Sequence, residues 1–534
     1  MTSVGSTVFR VRKEDVHAIA ALLGVSFVYY LLLIFQFPQF YLDDYYIFSR
    51  ISISSLPISL DPSERYYLFV RPIEYLYFWL SYSIAGTNPV VMKVVGLLLL
   101  MLLLILMYST IRRIQEFLSV SIPGYVTALA CLFFALHPDV VSSVLWISNS
   151  NEILMSLFYC GSIYFLLDSE YAPRNLAISM LFFFLSSLVK QQSLHYPFLV
   201  VFLLGLRWNS MSGPAKRNLI VVVAVGLAVI ATNTIVNYCV YVRPSDIDFV
   251  GSMWKKPFSI LGTVFYLLFP LWGIDTYFFF LTHKSVALLF TLLLLVVFVV
   301  IVTYRKKPFL EPRKALLSVV FVLVIFFPRI LAPGGIRLNT LQLLWLATSV
   351  SVLFFLIPRF KMFVAAGLLL SNIIACQQLI SKYRRVDSQV IEASLGLKKT
   401  TQDSPKKVYV VSGPSTKLLG YLSYYLSRQK FGSDQDYFCS TAKLYSFDDS
   451  ELTFQDVSVT TKGSLISVGV ENQSSNRMFL GADFTSTEKV IQHANSPLRG
   501  YQTMDFEPTP PLSDTTVVFV YYDGTEWRQL QKVL

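Results

Sequence analysis

VVGLLLLMLLLILM, residues Val94 to Met107, contains no charged side chain and no conventional hydrogen-bonding one. It approaches the roughly 20 apolar residues that cross a bilayer as a helix. Working outward, comparable runs recur at Leu219–Ala231 and Val286–Thr303. The 534 residues are 54% hydrophobic and 14% charged, with a mean hydropathy of +0.56. A water-soluble domain carries about 25% charged residues, so this chain lacks the polar surface that water requires. The fold class expected is a polytopic α-helical membrane protein.

The net charge of +11 comes from 44 Lys and Arg against 33 Asp and Glu. The basic residues form short clusters between apolar runs, which is a topology signal and not a nucleic-acid stripe. Cys131, Cys160, Cys239 and Cys376 lie inside apolar segments and only Cys439 in polar sequence, which excludes a disulfide framework or a CxxC metal site. The 31 Tyr and 43 Phe suit interfacial aromatic belts and a lipid-facing cleft.

A basic stretch, Arg10 to Lys13, precedes an apolar segment over 17–37. The bulky residues Gln36 to Gln39 that follow do not make a cleavage site, so the segment reads as a retained helix with its N-terminus in the cytoplasm. The next span starts near Pro89, which leaves a long external loop over 38–89. Inside it, Tyr66–Tyr82 reads as a helix along the membrane surface. Further spans are expected near 90–110, 123–137, 152–168, 175–189, 195–206, 218–242, 284–303, 315–332, 339–357 and 362–380. Arg112, Arg113, Arg174, Arg207, Lys216, Arg217, the 305–314 run, Arg359 and Lys361 then share the cytoplasmic side. The apolar stretch Phe258–Thr282 holds Pro270, Gly273 and Asp275 and reads as re-entrant or interfacial. This makes about eleven transmembrane helices within 1–382, in a cytoplasmic or inner membrane.

Residues 383–534 are polar and read as a separate extracytoplasmic α/β or α+β domain. Strands are expected at Val408–Val411, Leu465–Val470 and Thr516–Tyr522, a helix at Tyr421–Gln429, and a hairpin turn at Asp523-Gly524.

Unusual residues gather in the loops on the external side. Asp43 and Asp44 could take a proton from a hydroxyl or share a divalent cation; a loop acid pair capping a short helix is the alternative. His137, Asp139, Trp146 and Glu152 flank a break between apolar segments. Ionisable groups at that depth usually face a cavity, although a Pro-broken helix start would also place them there. Lys190, Gln191 and His195 end another span, as an anion clamp or as a snorkelling lysine with polar neighbours. Arg329 and Arg337 bracket a Gly-Gly turn on the side opposite the basic loops, and an arginine fork suits phosphate oxygens.

At these residues the chain resembles the GT-C superfamily of integral-membrane glycosyltransferases. The likeness is to protein O-mannosyltransferases and transmembrane/tetratricopeptide O-mannosyltransferases, which are related to aminoarabinose transferase. The acid pair after the first span is matched by Asp43-Asp44, and an Arg-Pro stretch by Arg71-Pro72-Ile-Glu-Tyr-Leu. A Leu-His-Pro motif is matched by Leu132 to Pro138 with Trp146-Ile-Ser148 and Glu152, and a Leu-Ser-Lys motif by Ser187 to Gln191. Leu267 to Pro270 with Asp275-Thr-Tyr277 and Ile336-Arg337-Leu complete the series over about 20–380. Gln191 replaces a glutamate, Leu338 a tyrosine, and Asn151 stands near a family arginine. No tetratricopeptide pattern follows.

The resemblance implies inverting transfer of a sugar from a polyprenyl-phosphate donor to a protein, glycan or lipid acceptor on the extracytoplasmic face of the cell envelope. Asp43 or Asp44 would be the base, helped by Asp139 or Glu152. Arg337, Lys190 and Arg71 would hold the donor phosphate, and His137, Trp146, Gln191, His195 and Asp275 would line the substrate site. A divalent cation at Asp43 and Asp44 is compatible with the sequence and not required by it; the sequence leaves the cofactor undetermined, and no nucleic-acid partner is expected. Two other classes remain: an O-antigen ligase or polymerase using a diphosphate-linked donor, and a non-catalytic transporter or flippase of lipid-linked sugars. Paired inverted repeats with mid-span charges would mark the transporter, whereas here the charges gather at one face.

Overall fold

The computed structural model describes residues 13–39, 44, 71–86, 88–117, 122–167, 172–208, 211–240, 266–268, 270, 340–356 and 361–401, and strands with their margins between 407 and 530. The expected spans 284–303 and 315–332, most of 258–282 and the expected helix 421–429 lie outside the described residues.

The described helices are α1 (Lys13–Gln36), α2 (Pro72–Ala85), α3 (Pro89–Phe117), α4 (Gly124–Ala135), α5 (Pro138–Leu145), α6 (Asn151–Leu167), α7 (Pro173–Val189), α8 (Tyr196–Arg207), α9 (Gly213–Val240), α10 (Thr340–Leu356) and α11 (Lys361–Thr401). Each expected span outside 284–303 and 315–332 falls on one of them. By length and hydropathy, five described stretches can cross a membrane: Glu14–Gln36, Pro89–Phe117, Ile147–Leu167, Gly213–Asn233 and Met362–Arg385. The pair α4–α5 makes a sixth if its 59° bend is one broken span. Pro138 occupies the first turn of α5, where a missing N–H costs nothing, and His137 Nδ1 accepts the Asp139 N–H at 3.2 Å as a cap.

Of the described spans, Ile147–Leu167 with α6 is the most buried at 78%, and α3 follows at 50%, whereas only 22% of the α9 span is buried. α3 packs on α6, α1 and α4, and α7 on α6. Large apolar side chains are exposed on the outer helices, among them Val28, Leu32 and Phe35 of α1 and Ile220, Val221 and Val225 of α9. Such side chains suit acyl chains, not water. Apolar contact alone does not hold helices together in lipid, and hydrogen bonds between helices add to it. Tyr30 Oη donates to Ala135 O at 2.6 Å, Ser179 Oγ to Ser162 O at 2.7 Å, Ser186 Oγ to Met155 O at 3.0 Å, and Asn372 Nδ2 to Phe133 O at 2.9 Å.

Two polar knots fix the direction of α1 against α3. At one end Tyr108 Oη donates to Asp15 Oδ1 at 2.5 Å and Arg112 Nε lies 3.5 Å from the same oxygen. Gly124 makes room there: a Cβ would meet Asp15 Oδ1 and Tyr108 Oη at 2.7 Å, and the ends of both side chains would have to shift. At the other end Lys93 Nζ donates to Phe37 O at 2.6 Å and to Gln39 O, and lies 4.2 Å from the Phe37 ring centre. The two helices are antiparallel.

α2 takes up the place expected for a surface helix, beginning at Pro72. Its buried residues Glu74, Tyr77, Phe78 and Ser81 follow the three-to-four spacing of one helical face, and that face packs on α7 and α3. Gly86, at φ +57°, ends the helix and returns its N–H to Tyr82 O at 2.7 Å, a conformation that glycine adopts without steric cost. α11 carries the expected span 362–380 and continues beyond it. It runs to Thr401 and meets the C-terminal strands, with Gln529 Nε2 donating to Thr400 O at 3.2 Å. Strong helix formers, including Arg384, Arg385, Leu395 and Lys398, carry it through the polar sequence.

The C-terminal strands are β1 (Lys407–Ser412), β2 (Asp436–Cys439), β3 (Ala442–Ser446), β4 (Val457–Lys462), β5 (Leu465–Glu471), β6 (Met478–Ala482), β7 (Lys489–Ser496), β8 (Tyr501–Glu507), β9 (Val517–Tyr522) and β10 (Trp527–Gln529). They form sheets ordered β10-β9-β1-β2, β3-β6 and β4-β5-β8-β7. β1 runs parallel to β2 and β9, and the third sheet is antiparallel throughout. The three expected strands are β1, β5 and β9. β9 and β10 pair antiparallel, with Tyr522 opposite Trp527; the expected turn at Asp523-Gly524 lies outside the described residues.

Candidate active site

Charged side chains meet at the bundle end where α1 finishes and α3 and α6 begin. Arg71 precedes α2 and lies one helical turn from Glu74, with Nη1 to Oε2 at 3.2 Å. The other Glu74 oxygen, Oε1, accepts Asn151 Nδ2 at 2.5 Å. Beside Asn151, Glu152 Oε1 accepts Lys190 Nζ from just beyond the end of α7. Glu74 and Glu152 are fully buried, and Arg71, Asn151 and Lys190 nearly so. Burial lowers the Lys190 pKa from its ordinary value, Glu152 raises it, Arg71 lowers it further, and Glu74 pulls it back. Two cations and two carboxylates from α2, α6 and the α7 end therefore form one electrostatic unit. Buried charges persist only when paired in this way.

Next to this unit Asp44 is buried. Its carboxylate accepts the N–H groups of Ile147 at 3.3 Å and Ser148 at 2.6 Å, across 103 and 104 residues of chain. These are the first amides of the 3-10 turn Ile147–Asn149, so Asp44 caps it from afar and ties the first loop to the segment between α5 and α6. Trp146, buried, immediately precedes that turn.

A second group lies on α5. Asp139 Oδ1 accepts Tyr266 Oη at 2.5 Å, and the His137 ring meets the Tyr266 ring edge-on at 5.7 Å. Ser142 Oγ lies 2.8 Å from Tyr383 Oη of α11. His195 ends the 3-10 turn Gln191–His195. Its Nδ1 donates to Gln192 O at 2.7 Å, which leaves Nε2 to accept Tyr159 Oη at 2.7 Å. That histidine is tied into the packing of α6 and α8.

Of the residues singled out in the sequence, the structure brings Arg71, Glu152 and Lys190 into one unit and sets Asp44 against the turn after Trp146. His137 and Asp139 share the Tyr266 group. Asp43, Asp275, Arg337 and the Gln191 side chain lie outside the described residues. Glu74 and Asn151 were missed as members. A glutamate three residues after Arg71, on the buried stripe of an aromatic helix, was the available signal for Glu74. Asn151 gave none. Among the described residues no group of three or more His, Cys, Asp or Glu could hold a metal ion.

No family model matches the chain, and no curated protein matches it. Among solved structures, the chain is similar to ArnT from Cupriavidus metallidurans bound to undecaprenyl phosphate, at 14% identity and a TM-score of 0.42, over 76% of this chain and 84% of that one. The apo state of the same protein aligns at 15% identity and a TM-score of 0.38, over 77% and 84%. A likeness this distant assigns no role to any residue.

Proposed function

We propose that the chain is an integral-membrane glycosyltransferase of GT-C type, which transfers a sugar from a polyprenyl-phosphate donor to an acceptor at the extracytoplasmic face with inversion. The observation that carries the reading is the buried unit of Arg71, Glu74, Asn151, Glu152 and Lys190 beside the Asp44 anchor. Arg112 and Arg113 lie towards the opposite end of α3, and the positive-inside rule then puts the charged unit on the outer face.

Inverting transfer is one displacement. The acceptor oxygen attacks the anomeric carbon, a base takes its proton, and the phosphate leaves on the far side. Asp44 is committed to two backbone amides and acts as an anchor. Asp43, whose Cα is covalently held about 3.8 Å from that of Asp44, is the better base. Arg71 and Lys190, with Arg337, hold the leaving phosphate. An arginine has five N–H donors and a lysine three, so one carboxylate partner does not exhaust either.

The test uses the full chain in lipid nanodiscs. Binding of undecaprenyl phosphate is measured beside single-turnover transfer from undecaprenyl-phosphate-linked sugars to membranes of the producing cells. Asp43→Asn should abolish turnover by about 10²–10⁴-fold with lipid binding kept, because general-base loss acts on the acceptor step. Arg337→Ala and Arg71→Ala should weaken lipid binding as well as rate, and Arg337→Lys should recover only part. Full transfer in Asp43→Asn removes the mechanism.

A further inference from the structure

Two buried oxygens of the charged unit have no hydrogen-bond partner among the described residues: Asn151 Oδ1 and Glu152 Oε2. Their residues are 4% and 0% exposed. The Asn151 amide has its direction dictated by Glu74. An ionised carboxylate only accepts, so the amide nitrogen faces it and the amide oxygen faces away. Glu152 commits Oε1 to Lys190, which leaves Oε2. Buried polar atoms are nearly always paired, and one left unpaired is costly. Neighbouring residues at the start of α6 thus offer two acceptors that nothing in the described protein meets.

The chemistry of the missing partner follows by elimination. A phosphate diester brings acceptors and cannot satisfy them. A metal cation would enter a unit that already holds Arg71 and Lys190, which repel it. Neutral hydrogen-bond donors remain, and hydroxyl groups are the donors a sugar carries in number.

We infer that Asn151 and Glu152 form a recognition site for hydroxyl groups of the transferred sugar and set which sugar is accepted. The inference rests on the glycosyltransferase reading. It separates the labour within one unit: Arg71 and Lys190 face the phosphate, and the two oxygens of α6 face the sugar. Glu152 is on this account a specificity residue and not a second base.

The experiment compares undecaprenyl phosphate with undecaprenyl phosphate carrying glucose, mannose, galactose or arabinose, and with mono-deoxy forms of whichever sugar binds best. Binding is measured to the full chain in nanodiscs. At least one sugar-bearing lipid should bind more tightly than the bare lipid by about tenfold or more, and one deoxy form should lose that gain, since sites built to hydrogen-bond a hydroxyl reject its absence. Asn151→Ala and Glu152→Gln should each remove most of the gain. The gain is taken as the ratio of sugar-bearing to bare lipid within each variant, so any change in bare-lipid affinity through the Lys190 pair of Glu152 cancels. A gain unchanged in both folded variants overturns the inference, and so does a wild type indifferent to every sugar and every deoxy position, whose two oxygens water would then satisfy. Failure of the wild type to bind even the bare lipid instead removes the reading on which the inference rests. If either variant misfolds, the deoxy series on wild-type protein decides alone.

Discussion

Breaking the Lys190–Glu152 pair is a severe test of the charged unit, because the two side chains are only 6% and 0% exposed. Lys190→Met keeps the length of the side chain and removes its cation. Glu152 is then buried without the ammonium that Oε1 bonds, and losing one partner of a buried pair costs about 3–5 kcal/mol. Arg71 stays within electrostatic reach, which places the expected loss near the lower end, about 3 kcal/mol. Glu152→Gln is milder, since the amide oxygen still accepts from Lys190; the loss of one charge-assisted bond is worth about 1.5–3 kcal/mol. The double variant removes both charges but leaves a neutral amide buried without its partner, which costs about 1–3 kcal/mol. The double variant should therefore be more stable than Lys190→Met alone, with a coupling energy of about 2–4 kcal/mol, well above the roughly 0.5 kcal/mol scatter of independent sites. Reversible unfolding in mixed detergent micelles measures all four corners of the cycle. Additive single variants would refute the pairing. Donor binding should stay weak in the double variant although part of its stability returns, because the phosphate would still lack Lys190.

Gly124→Ala should destabilise the protein by about 1–3 kcal/mol, the usual cost of overpacking, because its Cβ meets Asp15 Oδ1 and Tyr108 Oη at 2.7 Å. Combined with Tyr108→Phe it should cost less than the sum, and additivity in thermal unfolding would count against the contact. Lys93→Met removes the donor to Phe37 O and Gln39 O; at the buried Phe37 this costs about 1–3 kcal/mol, whereas water can replace it at the exposed Gln39. Hydrogen exchange should rise over the last turn of α1, and unaltered protection there would contradict the clamp. Asp44→Asn turns one of two accepting oxygens into a donor against the amides of Ile147 and Ser148. Those amides should exchange faster while the far end of α3 stays protected.

Much of the fold was legible because its causes are local. Apolar runs such as Val94–Met107 have one low-energy form in lipid, a helix that pairs its own backbone. The alternation in β5 is likewise a property of neighbouring residues. The exception is the end of α11. A composition shift near Lys382 signals a change of solvent, and a helix can pass through such a change unbroken.

The sequence by itself determined which residues were chemically out of place: Arg71, Asp139, Glu152 and Lys190 are ionisable groups beside long apolar segments, and each needs a partner. The partners were decided only by the tertiary structure. Asn151 reaches Glu74 across 77 residues, Lys190 reaches Glu152 across 38, and Asp44 reaches Ser148 across 104. Such pairs have no period or spacing, because charge compensation depends on distance in space and not along the chain. For the same reason Asp44, one of two equivalent acids in the sequence, became an anchor once folding set two backbone amides against its carboxylate.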